Sequence, residues 1–163
     1  METTEELLVN LLIEKGYHIS FAESITGGMC ASKLINVSNA SKVLNESYVT
    51  YSNEAKIKLL NVSKETIDTY GVVSEDVAYQ MAKGVALATN SEIGVGITGV
   101  AGPTSYDNVL VGTVCFGIYI NGDISTLTIN FNDIGRNKVR KSATDFIFEE
   151  LLKVLSKWKK EHF

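Results

Sequence analysis

The sequence predicts an α/β protein, a three-layer α/β/α sandwich on a mixed β-sheet. Three observations predict it. Apolar runs of strand length alternate with segments of helical periodicity along most of the chain. The last two strand-like runs meet across Gly122-Asp123, a hairpin signal. A long amphipathic segment then closes the sequence. At 163 residues the chain is long enough to bury a core of its own, and one domain over 1–163 is expected, since no repeat, low-complexity tract or linker divides it.

Taken in order, Leu7, Leu8, Leu11 and Leu12 recur at helical spacing, and Lys15-Gly16 ends that helix with a glycine carboxyl cap. A strand is expected over 17–22. Gly27-Gly28 then opens a helix over 27–35, and ESYVTYS, 46–52, alternates aromatic and β-branched residues as a strand does. Ser52 opens a short helix over 53–60, and Ser63 caps another that stops at Gly71. Ser74 caps a longer one to Thr89, with Val77, Met81, Val85 and Ala88 at helical spacing. IGVGITG, 93–99, VGTVCFGIYI, 111–120, and ISTLTINF, 124–131, read as strands. The closing helix, 136–157, places Val139, Ala143, Ile147, Leu151 and Val154 on one face.

Composition excludes several classes. Hydrophobic residues at 45% and charged residues at 21% sit near globular averages, which argues against disorder. No run of about 18 apolar residues offers a membrane span, and the acidic start METTEELLVNLLIEK lacks the positive charge of a signal peptide, so a cytoplasmic protein is expected. A net charge of -4 argues against general nucleic-acid binding. Cys30 and Cys115 have no metal-ligand spacing and suit free thiols in a reducing compartment. No metal or cofactor is expected.

Three stretches carry chemistry. In FAESITGG, 21–28, the apolar run ends in Glu23 and Ser24, and Gly27 and Gly28 let the backbone turn sharply into a helix whose first N–H groups attract anions. A plain helix cap by Ser24 or Thr26 accounts for the same residues. If Ser24 is a nucleophile it needs a base, and the two histidines are poorly placed: His18 lies at the other end of the strand, His162 in the tail. A lysine or a carboxylate is the alternative. YSNEAK, 51–56, supplies Lys56 in the first turn of the next helix, where only desolvation can lower an amine toward neutrality, against any effect of Glu54. An exposed helix lysine is the competing reading. GITGVAGP, 96–103, leaves a strand into small residues whose N–H groups suit a phosphate or carboxylate, though a tight turn fits too. Arg136 and Arg140 open the last helix as further anion-binding candidates.

AES-x-TGG, VTYSNEAK, YGVVSEDV, GITGVAGP and VGTV, in this order, resemble the CinA carboxy-terminal domain family over residues 5–155. The resemblance implies an α/β/α domain, often fused behind a molybdopterin-binding-like domain that these residues do not contain, and an activity as nicotinamide mononucleotide deamidase. It implies Ser24, Lys56 and Tyr51 as catalytic residues. Thr26, Gly27, Gly28, Asn53, Thr98, Gly99, Ala101, Gly102, Arg136 and Arg140 become the substrate-binding candidates, with the N–H groups of Thr26, Gly27 and Gly28 holding the oxyanion. The implied partner is a small pyridine nucleotide, with no nucleic acid or membrane, and the implied assembly a homo-oligomer. Three departures stand out. Ile25 replaces a frequent cysteine, TSYDNVL, 104–110, replaces a Gly-Gly and Lys-Pro stretch, and the family's GDR appears as Asp133-Ile134-Gly135-Arg136. A relative that binds a phosphorylated nucleotide without turnover, as a sensor or accessory in competence or DNA-damage responses, is the alternative these departures leave open.

Overall fold

Large and small residues alternate along the central strands, and this alternation decides how closely each helical layer approaches. The computed structural model describes the backbone of residues 1–162 and side chains through residue 157. Its sheet contains β1 (Ile19–Glu23), β2 (Tyr48–Val49), β3 (Ile93–Gly99), β4 (Thr113–Ile120) and β5 (Asp123–Asn130), in the order β2-β1-β3-β4-β5. β1 pairs in parallel with both β2 and β3, whereas β4 and β5 are antiparallel additions, so the sheet is mixed. Helices α1 (Thr4–Lys15), α2 (Met29–Leu34) and α6 (Arg136–His162) cover one face. The other face carries α3 (Asn53–Leu60), α4 (Lys64–Tyr70) and α5 (Glu75–Thr89). This is the three-layer sandwich.

Ile19 and Phe21 of β1, Ile93, Val95 and Ile97 of β3, and Phe116 and Ile118 of β4 point toward α1, α2 and α6 and form the larger core. Phe21 stacks on Phe148 of α6, ring centroids 5.9 Å apart. Burying a side chain of this kind contributes about 1.5–3 kcal/mol. The alternate positions are Ser20, Ala22, Gly94, Gly96 and Gly117, small enough for α5 to lie directly on the strands. Thr3, Ser52, Ser63 and Ser74 each cap a helix by accepting a backbone N–H.

Several boundaries differ from expectation for identifiable reasons. α2 starts at Met29 and not at 27, because Gly27 and Gly28 take φ of 57° and 105°, outside the helical region. The strand expected over 46–52 is only Tyr48–Val49: the carbonyls of Thr50 and Tyr51 turn away to accept from Lys56. On α1 the buried stripe is Leu8, Val9 and Leu12, while Leu7 is exposed. On α5, Ala78, Ala82 and Ala86 face the sheet and Ala88 faces outward. Among the described residues, no helix is long and apolar enough to cross a membrane.

Candidate active site

The chain leaves β1, β2 and β3 at the same edge of the sheet. Because β1 lies between the other two, the connections that follow β1 and β2 end on opposite sides of it, and a crevice opens at the carboxyl ends of the strands, where such sheets bind ligands. A cavity of about 400 Å³ occupies it.

The alternation of β1 assigns its last residues. Glu23 continues the face of Phe21, and its carboxylate accepts the N–H of Cys30 at 2.8 Å and of Ala31 at 3.1 Å. It therefore caps α2 from the strand end, an anion at a helix amino terminus. Ser24 points the opposite way, toward α3, while its own N–H donates to Ile97 O at 3.1 Å and anchors the turn to β3.

Lys56 is the fourth residue of α3 and is 1% exposed, so the exposed-lysine reading fails. Its Nζ lies 2.9 Å from Ser24 Oγ, 2.8 Å from Thr50 O and 3.3 Å from Tyr51 O. Burial pushes the ammonium down from 10.5 to about 8, because the charged form loses its hydration. Tyr51 serves the lysine through its backbone. The Tyr51 side chain is exposed, and its hydroxyl accepts from Arg136 Nη2 at 3.0 Å. Arg136 Nη1 donates to Gly102 O at 2.7 Å, so one guanidinium bridges the loops after β2 and β3.

Ser24, Tyr51, Asn53, Lys56, Thr98, Gly99, Ala101, Gly102 and Arg136 all line the cavity. Thr98 is buried, and its hydroxyl donates to Val72 O at 2.9 Å, tying the end of β3 to the link between α4 and α5. Thr26, Gly27, Gly28 and Arg140 stand elsewhere. Thr26 is fully buried, and Gly27 and Gly28 line a shallow depression beside α2 and α6. The Gly27 N–H, an expected oxyanion donor, is already bonded to Ser24 O at 3.2 Å. Arg140 reaches the back of the turn: Nε donates to Ile25 O at 2.9 Å and Nη2 to Thr26 O at 3.3 Å. It holds the serine loop in place from behind and does not line the cavity.

Of the histidines, His18 lies at the far end of β1 with Nδ1 3.8 Å from Glu92 Oε1, and the His162 side chain is outside the described residues. Sequence reading missed the capping role of Glu23, although an acid just before a glycine-led helix was a usable signal. Ile25, Thr104 and Tyr106 stand on the cavity wall too, and sequence reading had marked them only as departures from the family pattern, not as site residues. Ile25 follows the nucleophile candidate directly, and Thr104 and Tyr106 lie in the 104–110 stretch, whose composition does not say which of its residues face the cavity.

Comparison with known proteins places the chain. The sequence model of the CinA C-terminal domain matches residues 1–155. A CinA-like protein of Kosmotoga olearia is 44% identical over 155 residues, covering 94% of this chain and 37% of the relative. A competence-damage inducible protein of Clostridium kluyveri is 45% identical over 152 residues, covering 91% and 37%. The chain thus spans little more than a third of the length of these curated relatives. Among solved structures, a CinA superfamily protein of Klebsiella pneumoniae superposes with a TM-score of 0.90 at 31% identity, covering 96% of this chain and 100% of that one. A competence or damage-inducible protein of Enterobacter asburiae gives 0.90 at 33% identity, covering 95% and 99%. With a family match over nearly every residue and fold-level agreement along the full length of solved relatives, this chain belongs to the CinA C-terminal domain family.

Proposed function

We propose that the chain is a nicotinamide-nucleotide amidohydrolase that converts nicotinamide mononucleotide to nicotinate mononucleotide and ammonia by a serine–lysine mechanism. One observation carries the reading: a buried lysine nitrogen 2.9 Å from a serine hydroxyl, both on the wall of a cavity. A neutral amine has two hydrogens and one lone pair. With the hydrogens on Thr50 O and Tyr51 O, the lone pair meets the Ser24 O–H, the arrangement an activated serine needs.

In this mechanism Ser24 Oγ attacks the carboxamide carbon while Lys56 takes its proton. We assign the oxyanion to the Ile25 N–H because it is the donor directly beside the nucleophile; of the donors expected from sequence, that of Gly27 is engaged. A donor so placed stabilises the transition state by about 2.7–4 kcal/mol. Lys56 then protonates the departing nitrogen, ammonia leaves, and water hydrolyses the acyl-enzyme with the same lysine as base. We assign the phosphate to the exposed guanidinium of Arg136 and the backbone N–H groups of Ala101 and Gly102 beyond the end of the β3 ladder, with Asn53 on the same cavity wall. The setting we propose is cytoplasmic recycling of pyridine nucleotides.

The test is ammonia release from nicotinamide mononucleotide, with nicotinate mononucleotide separated as product. Ser24→Ala and Lys56→Ala are each expected to lose at least about a thousandfold in kcat. Far-ultraviolet circular dichroism of Ser24→Ala should match the unsubstituted protein. Undiminished turnover in Ser24→Ala would remove the mechanism, and binding without turnover by the unsubstituted protein would favour a sensor.

A further inference from the structure

Residues 102–111 form a small hairpin beside the cavity, and its architecture is self-contained. Asp107 and Asn108 both take left-handed φ, 48° and 61°, between Tyr106 and Val109, which pair antiparallel with the Val109 N–H 2.8 Å from Tyr106 O. Two left-handed central residues make the turn that matches the natural twist of a hairpin. The base is pinned by the Gly112 N–H on Val100 O at 2.8 Å and by Arg136 on Gly102 O at 2.7 Å.

Along the first arm the side chains alternate. Thr104 and Tyr106 line the catalytic cavity, whereas Pro103 and Ser105 line a separate depression on the outer side with Asn130 and Asn132. Tyr106 is thereby presented to the cavity by backbone geometry. It is 47% exposed, and its hydroxyl makes no hydrogen bond among the described residues, unlike that of Tyr51. Tyr51 and Tyr106 are the aromatic side chains on the cavity wall, and Tyr106 is the one whose ring is not tied to a protein partner.

We propose that Tyr106 is a specificity-determining residue that reads the cationic pyridine ring of the substrate through its aromatic face. This rests on the nicotinamide mononucleotide reading above. The ring nitrogen bonded to ribose is quaternary and carries a positive charge, and the face of a tyrosine ring attracts such a cation. A ring at the mouth, on a hairpin fixed at its base, favours a cationic aromatic ring over a neutral ring of the same size.

The test is equilibrium binding in a Ser24→Ala background, which removes turnover, of nicotinamide mononucleotide and of its neutral dihydropyridine form. Tyr106→Ala is expected to weaken the cationic ligand roughly tenfold and the neutral one by no more than about threefold, with Tyr106→Phe close to the unsubstituted residue. With Ser24 intact, Tyr106→Ala should raise KM by the same factor at nearly unchanged kcat. Equal weakening of both ligands, no weakening, or a Phe variant as poor as Ala overturns the proposal while leaving the amidohydrolase reading in place. If the unsubstituted protein neither binds nor hydrolyses nicotinamide mononucleotide, the functional reading fails and this proposal with it.

Discussion

Three acceptors surround Lys56 Nζ, yet burial disfavours its charge, and this conflict sets the pH at which the residue can work. Below about 8 the nitrogen is an ammonium that donates to all three oxygens and has no lone pair for Ser24. Above it, the amine has the lone pair that the proposed mechanism needs to take the serine proton. The logarithm of kcat/KM is therefore expected to rise with unit slope and level off near pH 8, as measured by initial rates across pH. A rise centred near the ordinary lysine value of 10.5 would mean that burial does not tune this base. Stability follows the same sign. The unfolded chain holds the proton up to about 10.5 and the folded chain only to about 8, so the burial penalty is present in full below pH 8 and lifts across that window. Local pattern made Ser24 and Lys56 candidates, one at the end of a strand and the other in the first turn of the helix after the following strand, and the family resemblance made them the catalytic pair. Whether Lys56 was buried was not legible, since a lysine four residues into a helix has the same local pattern on either face.

Arg140 shows what an element contributes beyond its own residues. From the second turn of α6 it holds two successive carbonyls of the loop between β1 and α2, while Glu23 holds the amino end of α2. The loop bearing Ser24 is thus fixed from behind by α6 and from below by β1. Arg140→Ala is expected to lower kcat by about 10- to 100-fold, since small misplacements of a nucleophile are costly, with a stability loss of about 1–3 kcal/mol from the unpaired carbonyls. Arg140→Lys should recover part of the rate. Steady-state kinetics with urea denaturation checks this, and an unchanged kcat would mean the Gly27-Gly28 turn holds Ser24 unaided. Sequence reading placed Arg140 at the ligand because a cation opening a helix behind a strand looks like an anion site. Its partners are carbonyls that become accessible only when Gly27 and Gly28 turn the chain, which local pattern cannot show. The same applies to the β2 edge, where 46–52 alternates like a strand but Lys56 removes two carbonyls from the ladder.

At the scale of the molecule, the order of strands and helices and the mixed sheet were legible because periodicity of two and of 3.6 residues is written in the side chains. Which face each helix packs on was not, and the reason lies in the strand glycines. IGVGITG reads as a strand through Ile93, Val95 and Ile97, but Gly94 and Gly96 set how near α5 comes. A Cβ at Gly96 would stand 2.5 Å from Ala78 O and 2.8 Å from Met81 Cβ, so α5 would have to lift. Lifting it disturbs the site. Gly84, on the outer side of α5, lies against the Leu60 carbonyl at the end of α3, and α3 carries Lys56. Gly96→Ala is accordingly expected to cost about 1–3 kcal/mol, or roughly 2–4 °C in Tm per kcal/mol for a domain of this size. It should also depress kcat by disturbing the Ser24–Lys56 contact. Leu87→Ala, on the exposed face of the same helix, should leave both unchanged. Thermal melting and ammonia release on the two variants decide the point. A Gly96→Ala protein that melts normally would show that α5 has room to spare, and one that melts early but keeps its full rate would show that the seat of α5 and the serine–lysine geometry are independent.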